Sequence, residues 1–206
     1  MGTYFLQTPF WLPLLYPSMI WKNNSANKNI VLTFDDGPHP IITKEVLQIL
    51  NEYKVKAHFF CVGNNVVKYP EMFQEILANG HQVGNHTFHH VNGWKTETQK
   101  YVADFMETEQ VFSSQFFRPP YGKISFQQIN QLKSKTKMVM WSRLSGDFDK
   151  NISKEKCLEN CIRKPLRSNE IIVFHDSEKA YSNMIFALPK FIEHALEKGF
   201  SFELLK

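Results

Sequence analysis

Short apolar runs alternate along the chain with longer stretches in which apolar residues recur every three or four positions. This pattern predicts β-α units around a parallel sheet, because strands covered on both faces read as continuous apolar runs and their connecting helices as one apolar stripe. Residues 30–34 predict a buried strand ending at Asp35, and residues 42–53 the helix that follows it. The next strand is expected over 55–61. Pro70 at a first turn and Gly80 just past an end bracket a helix over 70–79. A short strand at 82–84 leads into a histidine cluster, with a long helix over 96–112 behind it. Further strands are expected at 116–118, 137–141 and 170–175, the last two separated by a helix over 153–162. A helix over 183–198, stopped at Gly199, precedes a closing strand at 200–204.

With 206 residues, 43% of them hydrophobic and 21% charged, the chain suits one globular domain with a substantial core. Its formal charge of +4 comes from scattered Lys and Arg, without the basic block that would point to a nucleic-acid partner. Cys61, Cys157 and Cys161 are odd in number and lack paired metal spacing, which argues against a disulfide framework or structural zinc site. Residues 4–21 carry no charged side chain, but Pro9, Pro13 and Pro17 interrupt any spanning helix and no basic flank precedes them. Residues 1–28 are therefore read as an apolar cap on a domain spanning 29–206, with peripheral membrane contact as the alternative. Without a recognisable signal peptide the default expectation is a cytoplasmic protein, with membrane association or export left open. Nothing in the pattern dictates an oligomeric state.

Four short motifs bring in chemistry. Asp35 and Asp36, followed by Gly37-Pro38, cannot both project from one face of a strand, so a turn at the strand end would give the two carboxylates separate jobs. His86 and His90 are four apart, so one helical turn or a tight loop would direct both imidazoles at one ion; His89 offers a competing pair with His86. Arg118 stands before Pro119-Pro120, a stiff segment able to hold the guanidinium against a carboxylate and present the backbone N–H of Tyr121 to a ligand. His175 ends an apolar run and is a candidate general acid, because a partly apolar site can tune its near-neutral pKa. Taken singly, each motif has a structural alternative: a solvated turn, a structural histidine, a rigid loop, a satisfied core histidine. Asp35, Asp36, Arg118 and His175 nevertheless all fall at the carboxyl ends of expected strands, the face on which β/α barrels assemble active sites.

In this order and spacing, the motifs resemble the NodB-homology polysaccharide deacetylases, carbohydrate esterase family four, from about Ile30 to the C-terminus. The resemblance implies a single-domain distorted (β/α) barrel that removes N- or O-acetyl groups from chitin oligomers, peptidoglycan glycan or xylan. It makes Asp35 the general base and Asp36, His86 and His90 the ligands of a divalent metal, zinc first, with cobalt, nickel or manganese as alternatives. Arg118 would orient Asp35, the N–H of Tyr121 would help stabilise the oxyanion, and His175 would be the general acid. An acetylated glycan or oligosaccharide is the expected partner, and N-deacetylation the leading activity. Alternatives are an O-acetyl esterase of the xylan type, a small-amide hydrolase with an enclosed pocket, and a catalytically silent glycan-binding domain. Many relatives carry an Asp-x-x-Asp-Trp element whose first aspartate tunes the catalytic histidine; here Leu144 replaces that aspartate and only Asp147 matches. Either Asp147 supplies the charge, or His175 is a weaker acid. Phe88 and Phe148 stand where tryptophan is frequent, and His58, where threonine is common, is read as structural.

Overall fold

The computed structural model describes residues 4–206. After a single helical turn, α1 (Leu12–Leu15), the chain runs through β1 (Asn29–Asp35), α2 (Ile42–Glu52), β2 (His58–Cys61), α3 (Gly63–Lys68), α4 (Pro70–Ala78) and β3 (Gln82–Asn85). It continues with α5 (Thr98–Val111), β4 (Phe116–Phe117), α6 (Phe126–Leu132), β5 (Lys137–Met138), β6 (Arg143–Leu144) and α7 (Lys154–Ile162). β7 (Glu170–His175), α8 (Tyr181–Glu197) and β8 (Ser201–Phe202) complete the order. The strands pair in parallel in the order β5-β4-β3-β2-β1-β7-β6, with β8 added on β1, and the sheet curls into a distorted β/α half-barrel.

β1 is buried along its whole length, as a strand covered on both faces must be. Its even positions Ile30, Leu32 and Phe34 join Phe59, Ile172 and Phe174 in packing against Val46 and Leu50 of α2 and Leu188, Phe191 and Ile192 of α8. Odd positions face the other way. Val31 meets Phe60, Phe116, Val139, Ile171 and Leu205 in a separate cluster inside the curl. Two positions further along the same inner rows come Thr33 and Val173, then Asp35 and His175, which are register partners. The period of two thus carries the interior from apolar filling to polar chemistry at the carboxyl ends.

Several elements differ from the expected ones for identifiable reasons. β2 begins at His58 rather than 55, because beside Asn29 and Ile30 the edge of β1 is taken by β8. α6 was not expected from apolar periodicity; a capping box between Ser125 and Gln128 starts it. α3 is too short to show a period, and β6 has only two residues, paired with Ile172 and Val173. Residues 6–22 run along both free edges of the curled sheet: Gln7 pairs with Arg143 of β6, Ile20 with Val139 beyond β5, and Lys22 with Glu170 of β7. Met19 and Trp21 are buried there with Tyr101, Phe105, Phe117 and Met138. Among the described residues no helix is long and apolar enough to cross a membrane.

Candidate active site

The carboxyl ends of β1, β3, β4 and β7 converge on one cluster. Asp35, 4% exposed, accepts a 2.7 Å hydrogen bond from Nη1 of Arg118 at its Oδ1. The guanidinium is fully buried and its remaining bonds fix it: Nη1 also donates to Thr33 Oγ1 (2.8 Å), Nε to the Val139 carbonyl (3.2 Å) and Nη2 to that of Met140 (3.0 Å). It lies 4.1 Å over the ring of Phe60, whose face favours a cation. Oδ2 of Asp35 accepts no hydrogen bond among the described residues.

Asp36 leaves the strand in the left-handed region, at φ 80°, so its carboxylate points away from that of Asp35. Its Oδ1 lies 3.1 Å from His90 Nε2 and 3.7 Å from His86 Nε2, and one ligand atom from each of the three residues falls within 4.8 Å of the others. Burial works against the Asp36 charge, but the hydrogen bond with His90 and the nearby His175 outweigh it and hold its pKa well below the carboxylate range. His86 is buried, which lowers its pKa to about 4 and keeps it neutral. Its Nδ1 meets the Arg118 carbonyl at 2.7 Å, so Nδ1 carries the proton and Nε2 turns a lone pair toward Asp36. One carboxylate and two imidazoles, with the imidazole tautomer fixed from behind, fit a divalent ion of the zinc type and leave coordination positions for other ligands.

The histidine loop is a tight turn rather than a helix, with Thr87 and His90 at φ 61° and 55°. This settles the competition between His89 and His90. His89 is directed outward, its Nδ1 2.7 Å from Asp104 Oδ2, while Asp104 Oδ1 accepts the N–H groups of Phe88 and His89 at 2.8 and 2.9 Å. Asp104 therefore holds the loop from α5. Tyr121, at φ 60°, follows the double proline; its ring centroid is 4.7 Å from that of His90, and Gly122 and Lys123 N–H close the turn on the Pro119 and Pro120 carbonyls. Left-handed residues other than glycine concentrate in these loops, where the surroundings hold them in place.

On the opposite side His175 donates its backbone N–H to Asp147 Oδ2 and directs Nδ1 at Asp147 Oδ1, each at 2.7 Å. Burial alone would depress this imidazole, but the Asp147 carboxylate, helped by Asp36 and Asp35, raises its pKa to about 9. Leu144 is buried in β6, so the carboxylate partner of His175 comes from the loop after that strand. Phe148 sets its edge against the imidazole at 5.0 Å, and Tyr4 meets Phe148 in turn. His58 is buried between Phe60 and Phe116, and His81 accepts the N–H of Ala57 at 3.1 Å. Neither belongs to the Asp36, His86 and His90 group. Cys61, Cys157 and Cys161 are buried free thiols.

Sequence reasoning gave no role to Asp176 or Thr43. Asp176 is buried, with its pKa raised to about 7 by that burial. Its backbone N–H donates to the Asp35 carbonyl, while its carboxylate accepts Gly37 N–H (3.1 Å) and the Thr43 hydroxyl. The turn after Asp36 must be glycine, because a Cβ on Gly37 would fall 2.1 Å from Asp176 Oδ2. A carboxylate directly after a candidate catalytic histidine was the available signal.

The family pattern described as polysaccharide deacetylase matches residues 22–140. The chain is 30% identical over 190 residues to a peptidoglycan-N-acetylglucosamine deacetylase of Bacillus cereus, covering 88% of each chain. It is 36% identical over 169 residues to a chitooligosaccharide deacetylase of Azorhizobium caulinodans, covering 76% of each. Among solved structures it resembles the crystal structure of a peptidoglycan N-acetylglucosamine deacetylase with TM-score 0.86 and 28% identity, over 95% of this chain and 94% of the other.

Proposed function

The chain belongs to the polysaccharide deacetylase family, and from that membership we propose that it is a metal-dependent hydrolase removing N-acetyl groups from an amino-sugar glycan. The observation that carries this reading is the placement of two different acid-base pairs, Asp35 with Arg118 and His175 with Asp147, around the Asp36, His86 and His90 triad. The relatives named above, which act on peptidoglycan N-acetylglucosamine and chitooligosaccharides, support the substrate class.

Asp36, His86 and His90 would hold the metal. A divalent ion supplies polarisation of the acetyl carbonyl and acidification of water. Around it, Arg118 keeps Asp35 oriented through Oδ1, and Oδ2 remains to take a proton from the attacking water. The Tyr121 N–H, on the stiff turn after Pro120, would donate to the carbonyl oxygen as negative charge builds there. His175 enters as imidazolium at neutral pH, its Nδ1 tied to Asp147, and gives its Nε2 proton to the departing nitrogen. The water oxygen adds to the acetyl carbon first, and the C–N bond breaks afterwards as the nitrogen is protonated. One proton is taken by Asp35 and one given by His175, yielding a free amino sugar and acetic acid, which ionises to acetate in water. Asp36 and His90 are only partly buried and Tyr121 is exposed, which suits an open groove for a polymer better than the enclosed pocket of a small-amide hydrolase.

Acetate release from chitin oligomers, peptidoglycan fragments and acetylated xylan, using metal-stripped protein with and without zinc, tests the reading. Zinc-dependent release from the amino-sugar substrates, lost in Asp35→Asn, is expected. Release from xylan alone would make the protein an O-acetyl esterase, and stoichiometric zinc binding without release from any substrate would overturn deacetylation.

A further inference from the structure

The loops that carry His90 and Tyr121 do not end at the site. Beyond His90 the chain forms a 3-10 turn, Gly93–Lys95, and beyond Tyr121 it runs into α6. These two stretches are fastened together: Gly93 N–H donates to the Lys123 carbonyl at 3.1 Å, and the buried Gln128 amide donates to the carbonyls of Gly93 (2.9 Å) and Thr96 (3.0 Å). A side chain at Gly93 would close the seam, since a Cβ there would lie 2.4 Å from the Lys123 oxygen.

Over this floor lies a cleft of about 690 Å³ between the start of α5 and α6, lined by Trp94, Glu97, Thr98, Gln99, Gln127 and Gln131 among others. Trp94 is 67% exposed, although its indole N–H is fixed on the Ile124 carbonyl at 3.2 Å. Lys123 Nζ lies 5.4 Å from the centroid of its ring, so part of the indole meets a cation of the same seam and the rest is open to solvent. Its neighbours in the cleft lining are amides and a hydroxyl, able to donate and accept, with Glu97 the one carboxylate among the six. Such a lining has little to offer a metal or a strongly charged ligand. It matches a pyranose, which presents apolar C–H faces to an aromatic plate and a rim of neutral hydroxyls to amides.

We propose that this cleft is a distal glycan subsite, binding neutral sugar residues of the same chain whose acetyl group lies at the Asp36, His86 and His90 cluster. The proposal rests on the glycan reading above and adds where the rest of the chain is held. Because one pair of loops builds both places, a long oligosaccharide engages both, whereas a short one fills the reaction site alone.

The test is calorimetric titration of β-1,4-linked N-acetylglucosamine dimer and hexamer into zinc-loaded Asp35→Asn protein, alone and combined with Trp94→Ala, Trp94→Phe or Gln131→Ala. Trp94→Ala is expected to weaken hexamer binding about tenfold while leaving dimer binding unchanged, and Trp94→Phe to restore most of the loss. Gln131→Ala should weaken the hexamer by a smaller factor. Hexamer binding insensitive to both Trp94→Ala and Gln131→Ala, or equal losses for dimer and hexamer, would overturn the subsite. The two readings fail separately: acetate release with hexamer binding insensitive to both Trp94→Ala and Gln131→Ala sinks the subsite alone, and Trp94-dependent binding without acetate release by the parent protein sinks the deacetylase alone.

Discussion

Arg118 and Arg143 are both buried and each meets one carboxylate, yet they lie at opposite ends of the strands. Arg118 faces Asp35, the last residue of β1, whereas Arg143 faces Glu170, the first residue of β7. In the second pair both carboxylate oxygens are taken, at 3.0 and 3.3 Å from Nη2; Nη1 caps the carbonyls of Cys161 and Lys164 and Nη2 that of Pro165 where α7 ends, while Nε has no partner among the described residues. In the first, only Oδ1 of Asp35 is used. A buried ion pair with both carboxylate oxygens engaged is a fastener. One that leaves an oxygen free, beside the Asp36, His86 and His90 group, keeps the acceptor that the proposed reaction needs.

The largest effect should come from replacing the first pair outright. Arg118→Met with Asp35→Leu removes both buried charges but strands the Val139 and Met140 carbonyls, so the melting temperature should fall modestly while acetate release falls by about 10³-fold or more. Retention of a tenth of the activity would erase the distinction between the two pairs. Next comes Arg143→Met, which leaves Glu170 buried without a partner and should cost about 3–5 kcal/mol in urea denaturation. Adding Glu170→Leu should recover most of that loss, and the turnover of folded protein should follow the parent throughout. A fall in the turnover of folded protein would show that the fastener reaches the chemistry.

A smaller effect is expected from Asp147→Asn. The acid form of His175 persists up to about 9, so the parent loses activity as pH rises through that value. Without the Asp147 charge, this basic limb should move down by about one pH unit or more. An unmoved limb in the pH-rate profile would remove Asp147 from the account. The same raised pKa contributes stability that is present below the ordinary histidine value and lost as pH rises through about 9. The smallest effect belongs to His89→Ala, which breaks an exposed pair with Asp104 and should cost less than about 1 kcal/mol. Zinc stoichiometry should survive it and be lost in His86→Ala; loss in both would return His89 to the ligand set.

What could be read from the sequence follows the range of the interactions involved. β1 and β7 announce themselves because burial on both faces demands unbroken apolar runs, and Asp35, Asp36, His86, His90, Arg118 and His175 because their residue types cluster where those runs stop. The partner of His175 was legible only as an alternative: whether Asp147 could compensate for Leu144 depends on a loop folding back across 28 positions. Asp176 and Thr43 escaped notice because their meeting depends on α2 and β7 flanking β1, a fact of topology rather than of local pattern. The pairing of residues 6–22 with both sheet edges was invisible for the same reason. Apolar periodicity says that this segment packs, and does not say on what.

That pairing has a consequence for the order in which the protein is made. Leu6 and Thr8 bond to Leu144 and Ser142, and Ile20 to Met138 and Met140, so this segment docks on strands that follow it by more than a hundred positions. At cellular translation speeds of about 5–20 residues per second, the amino-terminal segment waits on the order of ten seconds for its partners to emerge from the ribosome. Met19 and Trp21, buried in the finished fold against Phe117 and Met138, pass through that interval without their docking surface.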